Sequence, residues 1–316
     1  MANTRKIRWV LAHEPIELFI RAAKTFVKEL EQTAPDSGLE FEIMTLSEYA
    51  DKYQEGEKVT KHDLLALMEQ NEIEMSQMYT TWLGEAFYKD MHVLDMPFLF
   101  KDHDHAARIL EGEVGKDLLA GLSKASNMRG LAFTYSGGFR MIPADRKIEK
   151  IEDFQGLKIR ANRSPVAMDT IAAVGAEPVK MELEDIKDAV VDGRIVGGES
   201  TYPRFYGLNQ HMVCDYINDT KHSLFLTCVL VNETFWESLD ADLQAKMTAA
   251  AVTAARHERK ISVDDVKFVR EKAAQDGIEV VDLPDSEVVK FKAATEGVYK
   301  KYEPMFGSYI NKIQKG

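Results

Sequence analysis

Gly156-Leu157-Lys158-Ile159-Arg160 is the stretch of this chain that says most about its fold. The short apolar run predicts a β-strand that ends in Arg160, and Pro165 shortly afterwards suits the first position of a helix. A guanidinium fixed at such a strand end is planar, permanently charged and able to make two parallel hydrogen bonds to a carboxylate. The stretch therefore predicts an anion-binding arginine at a strand–helix junction.

Strands and helices alternate on both sides of this stretch. The hydrophobic pattern predicts strands at 7–12, 39–44, 73–79, 130–135, 157–161, 178–181 and 195–199. Helices are predicted with an apolar face from Phe19 to Leu30 and over 62–70, 104–123, 165–174 and 183–192, and residues 46–60 are predicted to be a loop. The repeated β-α-β alternation indicates two α/β units with mostly parallel sheets.

The C-terminal third is predicted to contain one long helix. Between Leu208 and Gln275 the chain has neither glycine nor proline. After an apolar strand at 223–231, Leu239, Leu243 and Met247 recur at every fourth position. A helix of about 40 residues would be about 60 Å long, so it is expected to cross between two domains or to bend.

Composition excludes several kinds of partner. The chain has 316 residues, 45% of them hydrophobic, and a net charge of −12, which argues against binding to nucleic acid or to anionic lipid. No window approaches the roughly 20 apolar residues of a membrane span, and the start lacks a signal peptide, so we expect a cytoplasmic protein or a mature form without its leader. Cys214 and Cys228 lie in apolar runs and are expected to be buried free thiols, with a single disulfide as the alternative.

Motifs for cofactors and catalysis are absent from the sequence. It has no His-Glu-x-x-His, Cys-x-x-Cys, phosphate loop, Gly-x-Gly-x-x-Gly or recognisable nucleophile motif, so we expect no cofactor, no metal and no catalytic residue. The run Asp102-His103-Asp104-His105 could suggest a metal site. We interpret it as a helix start, with Asp104 as the cap and the histidines on the surface.

The order of several motifs resembles one known family, the substrate-binding proteins of tripartite ATP-independent periplasmic (TRAP) transporters of the DctP type. The motifs that carry the resemblance are Leu94-Asp95-Met96-Pro97-Phe98, Gly138-Phe139-Arg140, Asp153-Phe154-Gln155-Gly156-Leu157-Lys158-Ile159-Arg160, Gly175-Ala176-Glu177-Pro178, Gly198-Glu199-Ser200, Thr220-Lys221-His222 and Val231-Asn232-Glu233-Thr234-Phe235-Trp236. Residues 195–198, Ile-Val-Gly-Gly, lack the aspartate that is usual in the family at this point. This departure leaves the identity of the ligand open.

The resemblance implies a two-lobed α/β fold of the type II periplasmic-binding-protein kind, with a long helix spanning both lobes and a ligand cleft between them. We expect lobe I at 1–136 plus about 223–265, and lobe II at about 137–222 plus 266–316. The implied function is to capture a small organic acid in the periplasm and deliver it to the membrane subunits of a TRAP transporter. A monomer is expected.

The candidate ligand residues have two origins. From the resemblance, Arg160 is expected to hold the ligand carboxylate, Arg140 to assist it, and Ser200 to offer a hydrogen-bonding group. Because ligands of open α/β sheets bind beyond strand ends, residues that follow first-lobe strands are also candidates. These candidates are Tyr79, Thr80, Trp82 as a cleft wall, and Glu14 toward a ligand hydroxyl or ammonium. In the second lobe, Glu199 beside Ser200 is expected to orient an arginine or a lysine.

Each candidate has a structural alternative. Arg160 and Arg140 could form internal ion pairs, Trp82 could pack under a loop, and Glu14 could favour a helix N-terminus. At the level of function, the alternative is an enzyme on a similar two-lobed scaffold that uses the arginines as anion anchors. A soluble sensing partner of a membrane receptor would share the binding chemistry. We predict a receptor, not an enzyme.

Overall fold

A computed structural model describes residues 4–316 of the chain. Its strands are β1 (Arg5–Leu11), β2 (Leu39–Thr45), β3 (Met75–Tyr79), β4 (Met128–Phe139), β5 (Ile142–Ala144), β6 (Lys158–Ala161), β7 (Glu177–Lys180), β8 (Gly197–Gly198), β9 (Tyr216–Asp219), β10 (Leu224–Asn232) and β11 (Glu279–Asp282). Its α-helices are α1 (Glu17–Thr33), α2 (Leu46–Tyr53), α3 (Lys61–Glu69), α4 (Thr80–Ala86), α5 (His103–Glu111), α6 (Glu113–Ala125), α7 (Pro165–Ala173), α8 (Ile186–Val191), α9 (Tyr202–Gly207), α10 (Glu233–Glu237), α11 (Ala241–Gln275), α12 (Asp285–Ala294) and α13 (Glu296–Lys315). Short 3-10 helices lie at Lys89–Asp95, Ile151–Phe154 and Gln210–Met212.

The chain divides into two compact units. The first unit comprises Met1–Tyr79, Leu110–Tyr135 and Leu226–Lys260, and the second comprises Thr80–Ile109, Ser136–Phe225 and Ile261–Gly316. This division differs from the expected lobes chiefly at residues 80–109, which were assigned to lobe I. They group with the second unit because their 3-10 segment, Lys89–Asp95, packs against α7 and α13.

The first unit contains a five-stranded sheet in the order β2-β1-β3-β10-β4. Strand β1 is parallel to β2 and β3, whereas β10 is antiparallel to β3, so the sheet is mixed. Strands β3 and β10 are buried at every position. Strand β10 is mostly apolar, whereas β3 buries two polar residues, Ser76 and Gln77, whose side chains form hydrogen bonds inside the unit. Helix α1 covers the sheet with its apolar face, where the Phe26 ring packs edge-on against Trp9 with 5.2 Å between ring centroids.

The second unit contains a six-stranded sheet in the order β11-β9-β5-β8-β6-β7. Strand β6 is parallel to both neighbours, and Arg160 pairs in register with Val179 on β7 and Gly198 on β8. One core cluster of this unit packs around the apolar residues of β6 and its neighbours: Ile142, Ile148, Phe154, Ile159, Ile171 and Phe291. The predicted strand at 157–161 and the predicted helix after Pro165 are therefore confirmed.

Helix α11 has 35 residues and is about 52 Å long at 1.5 Å per residue, so the predicted long helix is confirmed. The division between the units runs through it, because residues as far as Lys260 belong to the first unit. Between residues 4 and 316, none of the helices combines the length and the hydropathy that crossing a membrane would require.

Two predictions of local structure are wrong. Residues 46–60 are not entirely loop, because helix α2 begins at Leu46. A capping box precedes it, in which the side chains of Thr45 and Glu48 each accept a hydrogen bond from the other residue's backbone N–H. Tyr49 of this helix is buried. The single helix predicted over 104–123 is two helices, which are separated at Gly112, the N-cap of α6.

The Asp102–His105 run starts α5, but not in the predicted way. The carboxylate that accepts from the His105 amide, at 2.7 Å, belongs to Asp102, not Asp104. His105 is fully buried instead of lying on the surface. Both of its ring nitrogens have partners inside the protein: Nδ1 accepts from the Lys101 amide at 3.0 Å, and Nε2 lies 2.9 Å from the Ile313 carbonyl oxygen. Over residues 4–316 no group of three acidic, histidine or cysteine side chains is arranged to hold a metal ion.

The two thiols are free and buried, as predicted. Cys214 belongs to a core cluster of the second unit, whereas Cys228 lies on β10 in the first. Burial raises the pKa of Cys214 to about 12, and it also raises the pKa of Cys228. Neither thiol is therefore a thiolate at neutral pH, and both act as packing groups.

Candidate functional site

Arg160 lies near the end of β6, in the interior of the six-stranded sheet, and is 4% exposed. Its Nε donates to the Met181 carbonyl at 3.0 Å and its Nη1 donates to the Glu199 carbonyl at 3.1 Å. Gly198 allows this placement, because a Cβ at that position would lie 2.6 Å from the Cβ of Arg160. Backbone carbonyls thus orient the guanidinium without neutralising its charge.

Three effects act on the charge of Arg160. Burial lowers its pKa, the carboxylate of Glu199 raises it, and the positive charge of Arg140 lowers it again, to a final value of about 10. The side chain therefore remains a cation at neutral pH. The influence of Arg140 indicates that the two guanidiniums act on one another inside the second unit.

Arg140 follows β4 and is fully buried. Its backbone amide donates to the Ser223 carbonyl at 2.8 Å, which fixes the start of the side chain. Its guanidinium carbon lies 3.7 Å from the centroid of the Phe225 ring, a cation–π contact. None of its three guanidinium nitrogens has a hydrogen-bond partner anywhere in residues 4–316. A buried guanidinium without hydrogen-bond acceptors is costly, so this side chain requires acceptors that residues 4–316 do not supply, although its charge interacts with the Glu199 carboxylate.

Glu199 is also fully buried, but its carboxylate is occupied by protein groups. Its Oε1 lies 2.9 Å from Nε2 of His222, and its Oε2 accepts from the Asn162 amide at 2.9 Å. Burial by itself would raise the pKa of Glu199. The hydrogen bond to His222 and the charges of Arg140, His222 and Arg160 lower it to about 2. Glu199 is therefore a carboxylate that orients its neighbours.

Ser200 lies beside this group and is fully buried. Its backbone forms a two-way bridge with Met141, in which the amide of each residue donates to the other's carbonyl, at 2.9 and 3.0 Å. Its hydroxyl has no partner within residues 4–316. The second unit thus brings four predicted residues into one region: Arg140, Arg160, Glu199 and Ser200.

The other predicted residues have different surroundings. Tyr79 ends β3 in the first unit and stacks on His13, with 3.6 Å between ring centroids. Glu14 is exposed and accepts a hydrogen bond from the Ile16 amide at 3.1 Å.

Thr80 and Trp82 are buried in α4 of the second unit. The guanidinium carbon of Arg163 lies 4.6 Å from the Trp82 ring centroid. Ligand contacts of Thr80, Trp82, Tyr79 and Glu14 stay predictions.

Three residues of this region were not among the predicted ligand contacts. Asn162 and His222 bind the two different carboxylate oxygens of Glu199, and Phe225 makes the cation–π contact with the Arg140 guanidinium. His222 stands in the Thr220-Lys221-His222 motif, and Asn162 follows Arg160 by two positions, so both had a sequence signal. Phe225 had none, because a phenylalanine in an apolar strand normally indicates core packing.

The comparisons with known proteins agree with this architecture. A sequence model of the family described as "Bacterial extracellular solute-binding protein, family 7" (DctP) matches residues 13–304. Because the match covers most of the chain, the protein belongs to this family. The predicted resemblance and the two-lobed α/β fold of TRAP solute-binding proteins are thereby confirmed.

Curated relatives match this chain over part of their length. The C4-dicarboxylate-binding periplasmic protein DctP of Rhodobacter capsulatus is 29% identical over 192 residues, which is 61% of this chain and 56% of that protein. The matched stretches cover 61%, 66% and 56% of the first three curated relatives' own length.

Solved structures resemble the whole chain. A TRAP periplasmic solute-binding protein from Pseudomonas putida F1 with bound D-glucuronate has a TM-score of 0.85 at 24% identity, covering 98% of this chain and 97% of that one. One from Shewanella oneidensis with bound succinate has a TM-score of 0.83 at 22% identity, covering 98% of both chains. At these identities the likeness shows the fold.

Proposed function

We propose that this protein is an extracytoplasmic receptor that binds a small organic acid and delivers it to the membrane subunits of a TRAP transporter. The ligand carboxylate is bound by Arg140, with Arg160 as the second cation and Ser200 as an adjacent hydrogen-bonding group. The observation that carries this proposal is the fully buried Arg140 guanidinium, whose nitrogens have no acceptor in residues 4–316. Membership in the solute-binding family supports the receptor role.

The structure favours Arg140 over Arg160 as the stronger carboxylate ligand. Arg160 already donates through Nε and Nη1 to backbone carbonyls, which leaves fewer donors for a ligand. Arg140 has no acceptor in residues 4–316 for any of its three guanidinium nitrogens, and its guanidinium carbon lies 3.7 Å from the Phe225 ring centroid. The interdomain cleft and the contacts of Tyr79, Thr80, Trp82 and Glu14 stay predictions.

The ligands bound in two structural relatives support the proposal that this protein binds a carboxylate. D-glucuronate and succinate are bound by the relatives from P. putida and S. oneidensis, and the only charged group these two molecules share is a carboxylate. They differ in size and in the remaining oxygens. A common cationic anchor with variable surroundings fits such a range of ligands, and the periplasm is the compartment that the family implies.

A thermal-shift experiment tests the proposal. The full chain is heated with succinate, with D-glucuronate, and with D-glucose as the matched sugar that lacks the carboxylate. An acid at 100 times its dissociation constant is expected to stabilise the protein by about 2.7 kcal/mol, whereas D-glucose leaves the melting temperature unchanged. If no acid in a wider organic-acid panel stabilises the protein, the receptor proposal is wrong.

The enzyme alternative is separated by the fate of the ligand. After hours of incubation at 25 °C, the stabilising acid is expected to be recovered unchanged, as judged by proton NMR of the filtrate. Conversion that depends on the protein would favour an enzyme on this scaffold.

A further inference from the structure

The N-terminus of α7 carries polar groups that the protein does not satisfy. Ser164 is the N-cap residue and is fully buried, yet its side chain makes no capping hydrogen bond. Its hydroxyl has no partner in residues 4–316. A buried hydroxyl is normally paired, so each exception requires an explanation.

Two backbone donors share this situation. The first amides of a helix have no intrahelical acceptor, and at this helix the residues concerned, Val166 and Ala167, are buried. The Met168 amide donates to the Ser164 carbonyl at 3.1 Å, but within residues 4–316 no acceptor is found for the amides of Val166 or Ala167. The Ser164 hydroxyl and the amides of two buried residues therefore lie at one helix start without partners in the described chain.

A short chain of hydrogen bonds ties this helix start to the arginine site. The Ser164 amide donates to Oδ1 of Asn162 at 2.7 Å, and the Asn162 amide donates to Oε2 of Glu199 at 2.9 Å. The Glu199 carbonyl accepts from Arg160 at 3.1 Å. The unsatisfied donors thus belong to the same hydrogen-bonded region as Arg160, four residues further along the chain.

The chemistry of these donors defines what they bind. Amide hydrogens at a helix N-terminus carry partial positive charge and favour an oxygen with negative or partial negative charge. The Ser164 hydroxyl adds a third donor, or an acceptor if the bound group is itself a hydroxyl. A methyl or methylene group there would leave all three groups unpaired, which is unfavourable in a buried place.

We infer that the start of α7 is a second ligand subsite, which binds an oxygen other than those of the carboxylate held by Arg140 and Arg160. The inference rests on the proposed receptor function and narrows the ligand class. The preferred ligands are acids with a further oxygen, as a hydroxyl, a keto group or a second carboxylate. Simple alkanoic acids bind less tightly because they leave the helix start unpaired.

The first test fills the subsite with a protein carboxylate. Ser164→Asp places an acceptor at a favoured N-cap position, so the melting temperature without ligand is expected to rise. The same carboxylate takes the place of the ligand oxygen and repels an acid, so affinity for succinate is expected to fall by more than tenfold in calorimetric titration. Ser308→Asp, on an exposed face of α13, makes the same change of charge as a matched control and is expected to leave the affinity unchanged.

The second test removes only the hydroxyl. Ser164→Ala keeps the helix start and is expected to reduce affinity for succinate and for 2-hydroxybutanoate by about threefold to tenfold, the range for one neutral hydrogen bond. Affinity for butanoate, which lacks the further oxygen, is expected to stay within twofold. If Ser164→Ala reduced the affinity for all three acids equally, or for none of them, the subsite proposal would be wrong. The partner of Ser164 would then be bound water.

The outcome separates this inference from the function on which it rests. If neither succinate, 2-hydroxybutanoate nor any other acid of a wider panel stabilises the unmodified protein, the receptor proposal fails. If acids bind but Ser164→Asp leaves their affinity unchanged, only the subsite fails.

Discussion

Two buried arginines, one in each unit, are held in opposite ways. Arg259 of the first unit is 6% exposed, donates to the Phe133 carbonyl at 2.9 Å and forms an ion pair with Glu111. Arg140 of the second unit is fully buried and has no acceptor for its guanidinium within residues 4–316. The first arrangement is that of a structural arginine, whereas the second is the one on which the proposed ligand contact rests.

The difference in hydrogen bonding separates a structural arginine from a candidate binding arginine. Both residues are arginines on or beside an element of a central sheet, and composition does not distinguish them. What distinguishes them is whether the protein provides hydrogen-bond acceptors for the guanidinium: Phe133 and Glu111 do so for Arg259, whereas none is found for Arg140 in residues 4–316. A buried charged group without hydrogen-bond partners is costly, and the acid ligand proposed above would remove this local cost.

The largest expected effect comes from removing the charge of Arg140. Arg140→Met keeps an unbranched side chain without the charge, and affinity for the strongest acid of the thermal-shift panel is expected to fall by a hundredfold or more, because two charge-assisted hydrogen bonds are lost. The free energy of unfolding without ligand is expected to stay the same or to rise, because an unpaired buried charge is gone. Titration calorimetry and urea unfolding measure the two quantities.

Arg140→Lys is the matched control for the shape of the fork. It retains the positive charge but loses the two parallel donors, so its affinity is expected to lie between those of the unmodified protein and of Arg140→Met. Unchanged affinity in Arg140→Met would show that the comparison of the two arginines does not report ligand binding.

The equivalent substitution in the first unit is Arg259→Met. It leaves the Phe133 carbonyl without its side-chain donor and removes one of the two arginines paired with Glu111, so the free energy of unfolding is expected to fall by about 2 kcal/mol. Ligand affinity is expected to remain within twofold, since no proposed ligand contact is altered. If Arg259→Met lost affinity for the acid ligand while its free energy of unfolding stayed the same, Arg259 would not be the structural arginine that this comparison takes it to be.

The buried carboxylate of the second unit predicts a dependence on pH. The pKa of Glu199 is about 2 in the folded protein, below its ordinary value of 4.5. A lowered folded-state pKa contributes stability that is present above pH 4.5 and is lost as the pH falls toward 2. The unmodified protein is expected to lose about 1–2 kcal/mol more than Glu199→Gln between pH 5 and pH 2.5, measured by urea unfolding at each pH. Parallel curves for the two proteins would contradict the assignment.

Much of the second unit was predictable because its signals are local. The apolar run before Arg160 and the proline after it determine a strand and a helix start within ten residues, and both were confirmed. The α2 helix was missed for a local reason as well, since its polar sequence hides a capping box at Thr45. The prediction relied on the low hydrophobicity of residues 46–60 and did not use the capping signal at Thr45.

The state of each buried polar group was not predictable from the sequence. Glu199 and His222 are 23 positions apart, and only the fold brings their side chains to 2.9 Å. Arg140 and Ser164 are informative because partners are missing around them, and a missing partner is known only when all neighbours are known. A sequence therefore indicates candidate side chains, while the structure tells which of them still require a partner.

The smallest expected effect uses the two thiols as reporters, one in each unit. Cys214 and Cys228 are both buried, so a thiol reagent reacts with either only when the surrounding structure opens. The two cationic ligand contacts proposed here, Arg140 and Arg160, both lie in the second unit. Bound ligand is therefore expected to stabilise the second unit more than the first. In single-thiol variants made with Cys214→Ala or Cys228→Ala, saturating ligand is expected to slow labelling of Cys214 a few-fold more than labelling of Cys228. Equal protection of both thiols would mean that the two units open together, and the contrast between them would then apply to binding but not to local stability.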